Sequence, residues 1–287
     1  MCRLFALKSR VLSRPHRSLL DAENAVLAQS REHPDGWGIG WFADDDAYVV
    51  KSGLPAHACP RFRQVSSRLQ SHTFLVHVRR ATVGTVDSLN AHPFRHGRWL
   101  FAHNGTIFGF DVLRAWMMER IEPVLAAQII GDTDSEVLFF YVLTVMQGLG
   151  ADRSGHVGAD ARGVAGAVRL ALGQIDAEAR RLGLQRPVTN VILTDGRLLV
   201  AQRAGRALFL STQKRHCPDR VACAVPSRVC LEMLRPPGRV NHVLVASEPV
   251  GHENHWEELA DGASLVCDAE FELSIIAPAP GWTDPTA

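Results

Sequence analysis

Cys2 follows Met1 directly. Removal of Met1 would leave a thiol and an α-amine on one residue, and an α-amine titrates near 8, roughly 2 units below a lysine. That amine can act as general base at neutral pH for its own side-chain nucleophile, the logic of N-terminal nucleophile hydrolysis. Met-Cys alone is a weak signal, because many chains begin that way. Four further segments carry groups suited to work at a carbonyl. His33-Pro34-Asp35-Gly36-Trp37-Gly38-Ile39-Gly40-Trp41 is a glycine-dense turn entering a strand, where missing side chains let backbones approach closely. Phe74 to Thr82 reads as a strand ending in Arg79, Arg80 and Thr82. His103-Asn104-Gly105 places a side-chain amide and a glycine N–H at the end of another strand. Gly131-Asp132-Thr133-Asp134-Ser135-Glu136 sits at a helix start.

The elements that must position these groups are legible as short apolar runs bounded by Gly, Pro, Asp and Asn. Strands are expected at Leu4–Leu7, Trp37–Phe42, Tyr48–Val50, Phe74–Val78, Trp99–Ala102, Val191–Thr194, Leu198–Gln202, His242–Ala246 and Phe271–Ile276. Helical spacing groups Leu19, Leu20, Val26 and Leu27 on one face, and Val112, Leu113, Trp116, Met117 and Ile121 on another. Asp134-Ser135-Glu136 supplies a capping start to the apolar helix Val137–Met146. Val164, Val168, Leu172 and Ile175 line a further helix ending near Gly183. Strands cluster and helices form a central block, which favours an α+β layered fold with antiparallel sheets over a doubly wound parallel one. One domain over residues 2–276 is expected, with a Pro-rich extended tail at 277–287 and a surface loop at Gly150–Gly163.

The chain has 287 residues, 46% of them hydrophobic, and a formal net charge of +1. That balance removes the electrostatic case for nucleic acid or an anionic membrane as main partner. No run of 18 apolar residues and no secretory leader is present, so a cytoplasmic protein is expected. The six cysteines are too scattered for a disulfide framework, and no CxxC pair anchors a zinc site. Cys59, Cys217, Cys223, Cys230 and Cys267 read as small buried hydrophobes. Gly36-Trp37-Gly38-Ile39-Gly40 lacks the third glycine of a dinucleotide fingerprint, and His252-Glu253-Asn254-His255 has its second histidine one residue too early for a zincin helix. Neither a P-loop nor a GxSxG elbow occurs.

Met-Cys-Arg, Asp-Gly-Trp-Gly-Ile-Gly, His-Val-Arg-x-Ala-Thr, Asn-Ala-His-Pro-Phe (Asn90 to Phe94), His-Asn-Gly and Thr-Asp-Ser-Glu occur in this order over residues 2 to about 140. Together they resemble the class II glutamine amidotransferase domain, an Ntn hydrolase, and Ala246-Ser247-Glu248-Pro249 with Trp256 looks like its closing strands. The resemblance implies an αββα sandwich, two antiparallel sheets covered by helices. It also implies Cys2 as nucleophile, with Asn104 (side chain) and Gly105 (N–H) as the oxyanion hole. Arg79 would take the substrate α-carboxylate, Asp134 its α-ammonium, and Thr82 would assist. A planar guanidinium suits a carboxylate. No metal or cofactor is expected.

Plainer readings stand beside these roles. Asp134 could be the helix N-cap, and Asn104 could serve a left-handed turn. Asp35, Gly36 and Gly38 would shape the pocket floor, while His77, His92 and His103 would be hydrogen-bonded core groups. Arg79 and Arg80 alternate faces, so one should point outward. Arg80 and Val83 depart from the synthase-fused sugar-phosphate relatives, which carry an aromatic ammonia gate and a histidine there. The short form resembles instead the stand-alone γ-glutamyl amidohydrolases of ergothioneine synthesis and glutathione degradation. Hydrolysis of glutamine or another γ-glutamyl amide is therefore the leading expectation, with a small-molecule substrate. A glutaminase subunit feeding ammonia to a separate synthase and a non-catalytic γ-glutamyl sensor are the alternatives. Loops at His57–Arg63 and Gly150–Gly163 are expected to build the pocket for the leaving amine.

Overall fold

The computed structural model describes residues 2–151, 160–214 and 240–286. Cys217, Cys223 and Cys230 lie outside the described residues, as does Met1 and most of the loop expected at 150–163. A first sheet is built from β1 (Arg3–Ser13), β2 (Trp37–Ala43), β3 (Asp46–Ser52), β4 (Ser71–Val78), β9 (Phe209–Lys214), β10 (His242–Ala246) and β11 (Asn254–Glu258). Its order is β11-β9-β10-β1-β4-β2-β3. A second, ordered β13-β12-β8-β7-β6-β5, uses β5 (Phe94–His96), β6 (Trp99–Thr106), β7 (Val188–Thr194), β8 (Leu199–Gln202), β12 (Ser264–Cys267) and β13 (Leu273–Ile276). Every pairing in both sheets is antiparallel.

Alternation along the strands makes four layers. Leu4 and Ala6 of β1 face Leu100 and Ala102 of β6 in a core between the sheets. Phe5, with Phe74 and Val76 of β4, faces outward onto Leu19, Val26 and Phe62. Phe101 of β6 and Val191 and Leu193 of β7 pack outward against helices α5 (Asp134–Gly148) and α6 (Ala161–Arg181). The expected αββα sandwich is thus what the chain forms. Helix α5 is apolar nearly all round because it lies between sheet two on one side and α3 (Phe110–Met118), the short α4 (Pro123–Ala126) and α6 on the other. No described helix is long and apolar enough to cross a membrane.

Three expectations need correction. Leu19 to Leu27 is not one helix: a single wide turn at Arg17–Asp21 and a four-residue α1 (Val26–Gln29) flank a break at Ala22–Ala25. His57–Arg63 is not a pocket loop. It leads into α2 (Pro60–Arg68), whose Phe62 is fully buried edge-on to Trp37, with ring centroids 5.0 Å apart. Within the expected 150–163 loop, Asp160 caps α6 through the Arg162 N–H, so Ala161–Gly163 is helix. The Pro-rich tail is pinned back by Trp282 Nε1 to Asp261 (2.6 Å) and by Arg186 to Thr283 (2.7 Å). Cys59 and Cys267 are buried free thiols, as expected.

Gly38 lies where the His92 backbone crosses the inner face of β2; a Cβ there would sit 2.0 Å from the His92 carbonyl oxygen. Gly38→Ala should therefore lower the unfolding free energy by about 2 kcal/mol or more. Gly166 and Gly173 on α6 face open space, and alanine at either should raise it by about 0.5–1 kcal/mol. Urea midpoints at unchanged m-value check both directions.

Candidate active site

The inward-facing rows of four strands are apolar inside the sandwich and turn polar at one common end. On β1 the row runs Ala6, Leu4, Cys2; on β4, Leu75, His77, Arg79; on β6, Leu100, Ala102, Asn104; on β10, Val243, Val245, Ser247. Arg3 pairs with Val78, so Cys2 falls opposite the residues just beyond β4. The half-buried thiol accepts the Arg80 N–H and donates to the Arg80 carbonyl, both at 3.3 Å. Burial pushes the thiol pKa up, outweighing the Arg80 N–H and the Arg79 guanidinium, which pull it down. A thiol so placed is protonated at neutral pH and needs a base to attack.

Arg79 is 3% exposed. Its guanidinium donates to the carbonyls of Thr85 (2.7 Å), Val83 (2.7 Å) and Gly84 (3.4 Å), which wraps that loop around the cation. A guanidinium has five N–H donors, so donors remain for a carboxylate. The Arg79 backbone is clamped to the glycine turn, its N–H to Gly36 and its carbonyl from Asp35. Asp35 also accepts the Ala81 N–H at 2.8 Å, so this turn holds the strand end in place. Asn90 bridges Thr85 to Asp132, which ties the Arg79 loop to the segment before α5.

Asn104 is buried and donates to Ser247 Oγ at 3.1 Å; the same oxygen accepts the Leu4 N–H at 3.0 Å. Ser247 thereby fixes the β6 amide relative to the start of β1 across the two sheets. Gly105 passes so close to β7 that a Cβ would lie 1.7 Å from the Val188 carbonyl oxygen. Asn104 pairs in register with Asn190 within β6–β7, so it occupies a strand position and not a left-handed turn.

The N-cap of α5 is Thr133, which accepts the Glu136 N–H, and Asp134 is the first helical residue. The capping assignment for Asp134 is therefore corrected. Its Oδ2 accepts the Ile107 N–H at 2.9 Å and its Oδ1 the Ser135 hydroxyl at 3.1 Å. Ser135 Oγ also lies 2.9 Å from His103 Nδ1, while Nε2 faces the Val188 carbonyl at 3.1 Å. Thr82 is exposed, with its hydroxyl 3.2 Å from that of Thr106. The structure thus gathers Cys2, Arg79, Asn104, Gly105, Thr82 and Asp134 into one connected region. Ser247, Ser135 and Thr106 belong to it and were not singled out from the sequence. The alternation Val243, Val245, Ser247 was the available signal for Ser247. Among the described residues no cluster of three His, Cys, Asp or Glu could hold a metal ion.

The family model for class II glutamine amidotransferases matches residues 1–280. The protein YafJ of Escherichia coli K12, which carries the name of a candidate glutamine amidotransferase, is 27% identical over 237 residues, 80% of this chain and 83% of that one. The γ-glutamyl-hercynylcysteine sulfoxide hydrolase of Mycobacterium tuberculosis is 40% identical over 74 residues, 25% of this chain and 32% of the relative. Against two other curated relatives the match spans about a third to a half of their length. The solved structure of a glutamine aminotransferase class-II domain protein from Silicibacter pomeroyi superposes with a TM-score of 0.65. It is 23% identical and covers 97% of this chain and 100% of that one, a likeness of fold.

Behind the site the interior holds imidazoles. The rings of His77 and His92 lie against each other at a tilt of 39°, with centroids 4.2 Å apart. Of the histidines expected to be hydrogen-bonded core groups, His103 is, His77 lies against the His103 backbone, and the ring nitrogens of His92, like those of buried His33, meet no partner among the described residues. Burial lowers His33 to about 4 and His77 to about 3, and holds His92 well below its usual value. In the unfolded chain all three titrate near 6.5. Below that pH the unfolded state binds protons that the folded state refuses, so stability is full above about 6.5 and falls with pH from there. His77, held at about 3, should by itself remove about 2 kcal/mol between pH 7 and 5, with His92 and His33 acting in the same direction. Unfolding midpoints should fall across that range, and His77→Gln should flatten the slope.

Proposed function

The chain belongs to the class II glutamine amidotransferases, and from that premise we propose that it hydrolyses the γ-amide of glutamine or of another γ-glutamyl amide through a thioester on Cys2. The observation that carries this reading is the convergence of a half-buried thiol, a buried guanidinium, a buried carboxylate and a buried amide at one end of the sandwich. A free amino-acid head fits the two charges: Arg79 takes the α-carboxylate bidentately and Asp134 the α-ammonium. The side chain of the substrate then carries its amide carbonyl to the sulfur.

With Met1 removed, the Cys2 α-amine takes the thiol proton, and the sulfur adds to the carbonyl carbon. Negative charge develops on the carbonyl oxygen, where the Asn104 Nδ2 and the Gly105 N–H are the donors placed to receive it. Collapse breaks the C–N bond as the ammonium returns its proton to the departing nitrogen, which leaves as ammonia or an amine. Water then adds to the γ-glutamyl thioester, and glutamate departs with the thiol regenerated. Ser247 positions this machinery because one hydroxyl holds both Leu4 and Asn104. The relative in Mycobacterium tuberculosis, whose name is that of a γ-glutamyl compound hydrolase, supports the hydrolytic outcome.

Cys2→Ala should abolish release of glutamate while leaving the urea midpoint close to wild type. Asn104→Ala should lower kcat by about 10²- to 10³-fold with KM little changed, as expected for a donor used mainly in the transition state. Undiminished turnover in Cys2→Ala would sink the mechanism.

A further inference from the structure

The inner row of β1 runs on past the apolar core. Cys2, Leu4 and Ala6 are followed by Lys8, roughly 20 Å from the thiol at the other end of the sandwich. Lys8 is 2% exposed. A lysine ordinarily lays its stem on apolar surface and keeps its ammonium in water, and a fully buried one is paired. Among the described residues the Lys8 ammonium makes neither a hydrogen bond nor an ion pair. It rests 3.4 Å from the centroid of the Phe271 ring. Burial pulls its pKa down, against the opposing influence of Cys267, Asp268 and Asp195. Both of those carboxylates serve backbone instead: Asp268 accepts the Glu272 N–H, and Asp195 those of Arg197 and Leu198.

Lys8 and Phe271 line a cavity of about 600 Å³ that also brings together Arg10, His72, Arg197 and Glu270. That volume suits a small organic ligand. Arg10 donates to the carbonyls of Val240 (3.2 Å) and Glu270 (2.8 Å), so its partners are uncharged and further donors remain. Arg197 reaches Asp45 at 3.3 Å, an exposed pair that water weakens. His72 Nδ1 lies 3.0 Å from the Ser9 carbonyl. Three permanent cations thus share the cavity with one carboxylate, that of Glu270. Phe271 holds a φ of +62°, a region that bulky side chains avoid. That conformation makes its ring the floor beneath Lys8 and Arg10, whose guanidinium lies 5.1 Å from the ring centroid.

A cation–π contact alone is the plainer role for Lys8. It covers one side of the ammonium and supplies no oxygen to its three N–H donors. We propose that this cavity binds a small molecule through a phosphate group, with Lys8 and Arg10 on the phosphate oxygens and Arg197 at the rim. A phosphate ester carries nearly two negative charges and three acceptor oxygens, which suits several cations converging on one space. Guanidinium and ammonium groups are the donors such oxygens ordinarily meet. The site is remote from Cys2 and does not depend on the reading of that residue as nucleophile.

Titration calorimetry of the full chain with inorganic pyrophosphate, and separately with succinate at matched ionic strength, tests this. Pyrophosphate should saturate a single site and bind about tenfold tighter than succinate. Lys8→Met keeps the apolar stem, removes the charge, and should weaken pyrophosphate binding about tenfold or more. Arg197→Gln, a change at the exposed rim, should weaken it about threefold with an unchanged urea midpoint, and decides the matter if Lys8→Met folds poorly. Succinate binding as tightly as pyrophosphate would overturn the phosphate assignment. No saturable binding by folded wild-type protein, or binding that both substitutions leave unchanged, would overturn the site itself.

Discussion

A guanidinium cannot be left bare in a protein interior, where an uncompensated charge costs several kcal/mol. Arg79 is such a group, and the way it is satisfied organises the candidate site. It draws the carbonyls of Val83, Gly84 and Thr85 inward, folding the chain over the end of β4. Gly84 permits this with a φ of +77°, at a point where a Cβ would lie 2.5 Å from Asp132 Oδ1. Asn90 then joins Thr85 to Asp132, and Glu136 holds the Gly131 N–H at 2.6 Å. Asp134 is thereby placed relative to Arg79 by a continuous chain of bonds. The two charges proposed to bind an amino-acid head are set by the packing of one buried cation.

The sandwich supplies the other half of the geometry. Two sheets facing across an apolar core bring the ends of β1, β4, β6 and β10 to one edge, where each inner row exchanges apolar for polar side chains. Ser247 fastens the sheets there, since its hydroxyl serves Leu4 of one and Asn104 of the other. At Gly38 the absence of a side chain lets the His92 backbone cross the inner face of β2, and at Gly105 it lets β6 lie close against Val188 of β7. The cost is a set of buried imidazoles held neutral, which makes acid the natural enemy of this fold.

Much of this is legible in the sequence. All nine expected strands are present; those buried on both faces, such as β4 and β7, leave continuous apolar runs bounded by turn residues. Four further strands lie outside the expected set: β5, β11 and β12 are only three to five residues long, and β9 reads Phe-Leu-Ser-Thr-Gln-Lys with its apolar side chains confined to the first two positions. Helix α2 was missed because Arg61, Arg63, Arg68 and the serines around Phe62 dilute its single anchoring face. Leu19 to Leu27 shows a helical period that the turn at Ala22–Ala25 interrupts. Of the site, the groups with distinctive chemistry stood out within their motifs, from Cys2 to Asp134. Ser247 and Ser135 did not, because a serine hydroxyl carries no pattern of its own and matters here only through partners 243 and 32 residues distant.

The most direct test of an N-terminal cysteine site is an intact-mass spectrum of the purified protein before and after exposure to an electrophilic analogue of glutamine. Cys2 as nucleophile predicts a mass lacking Met1 and a single adduct, mapped to the N-terminal peptide. Retention of Met1 with no adduct would contradict it, because a blocked amine could neither accept the thiol proton nor return it.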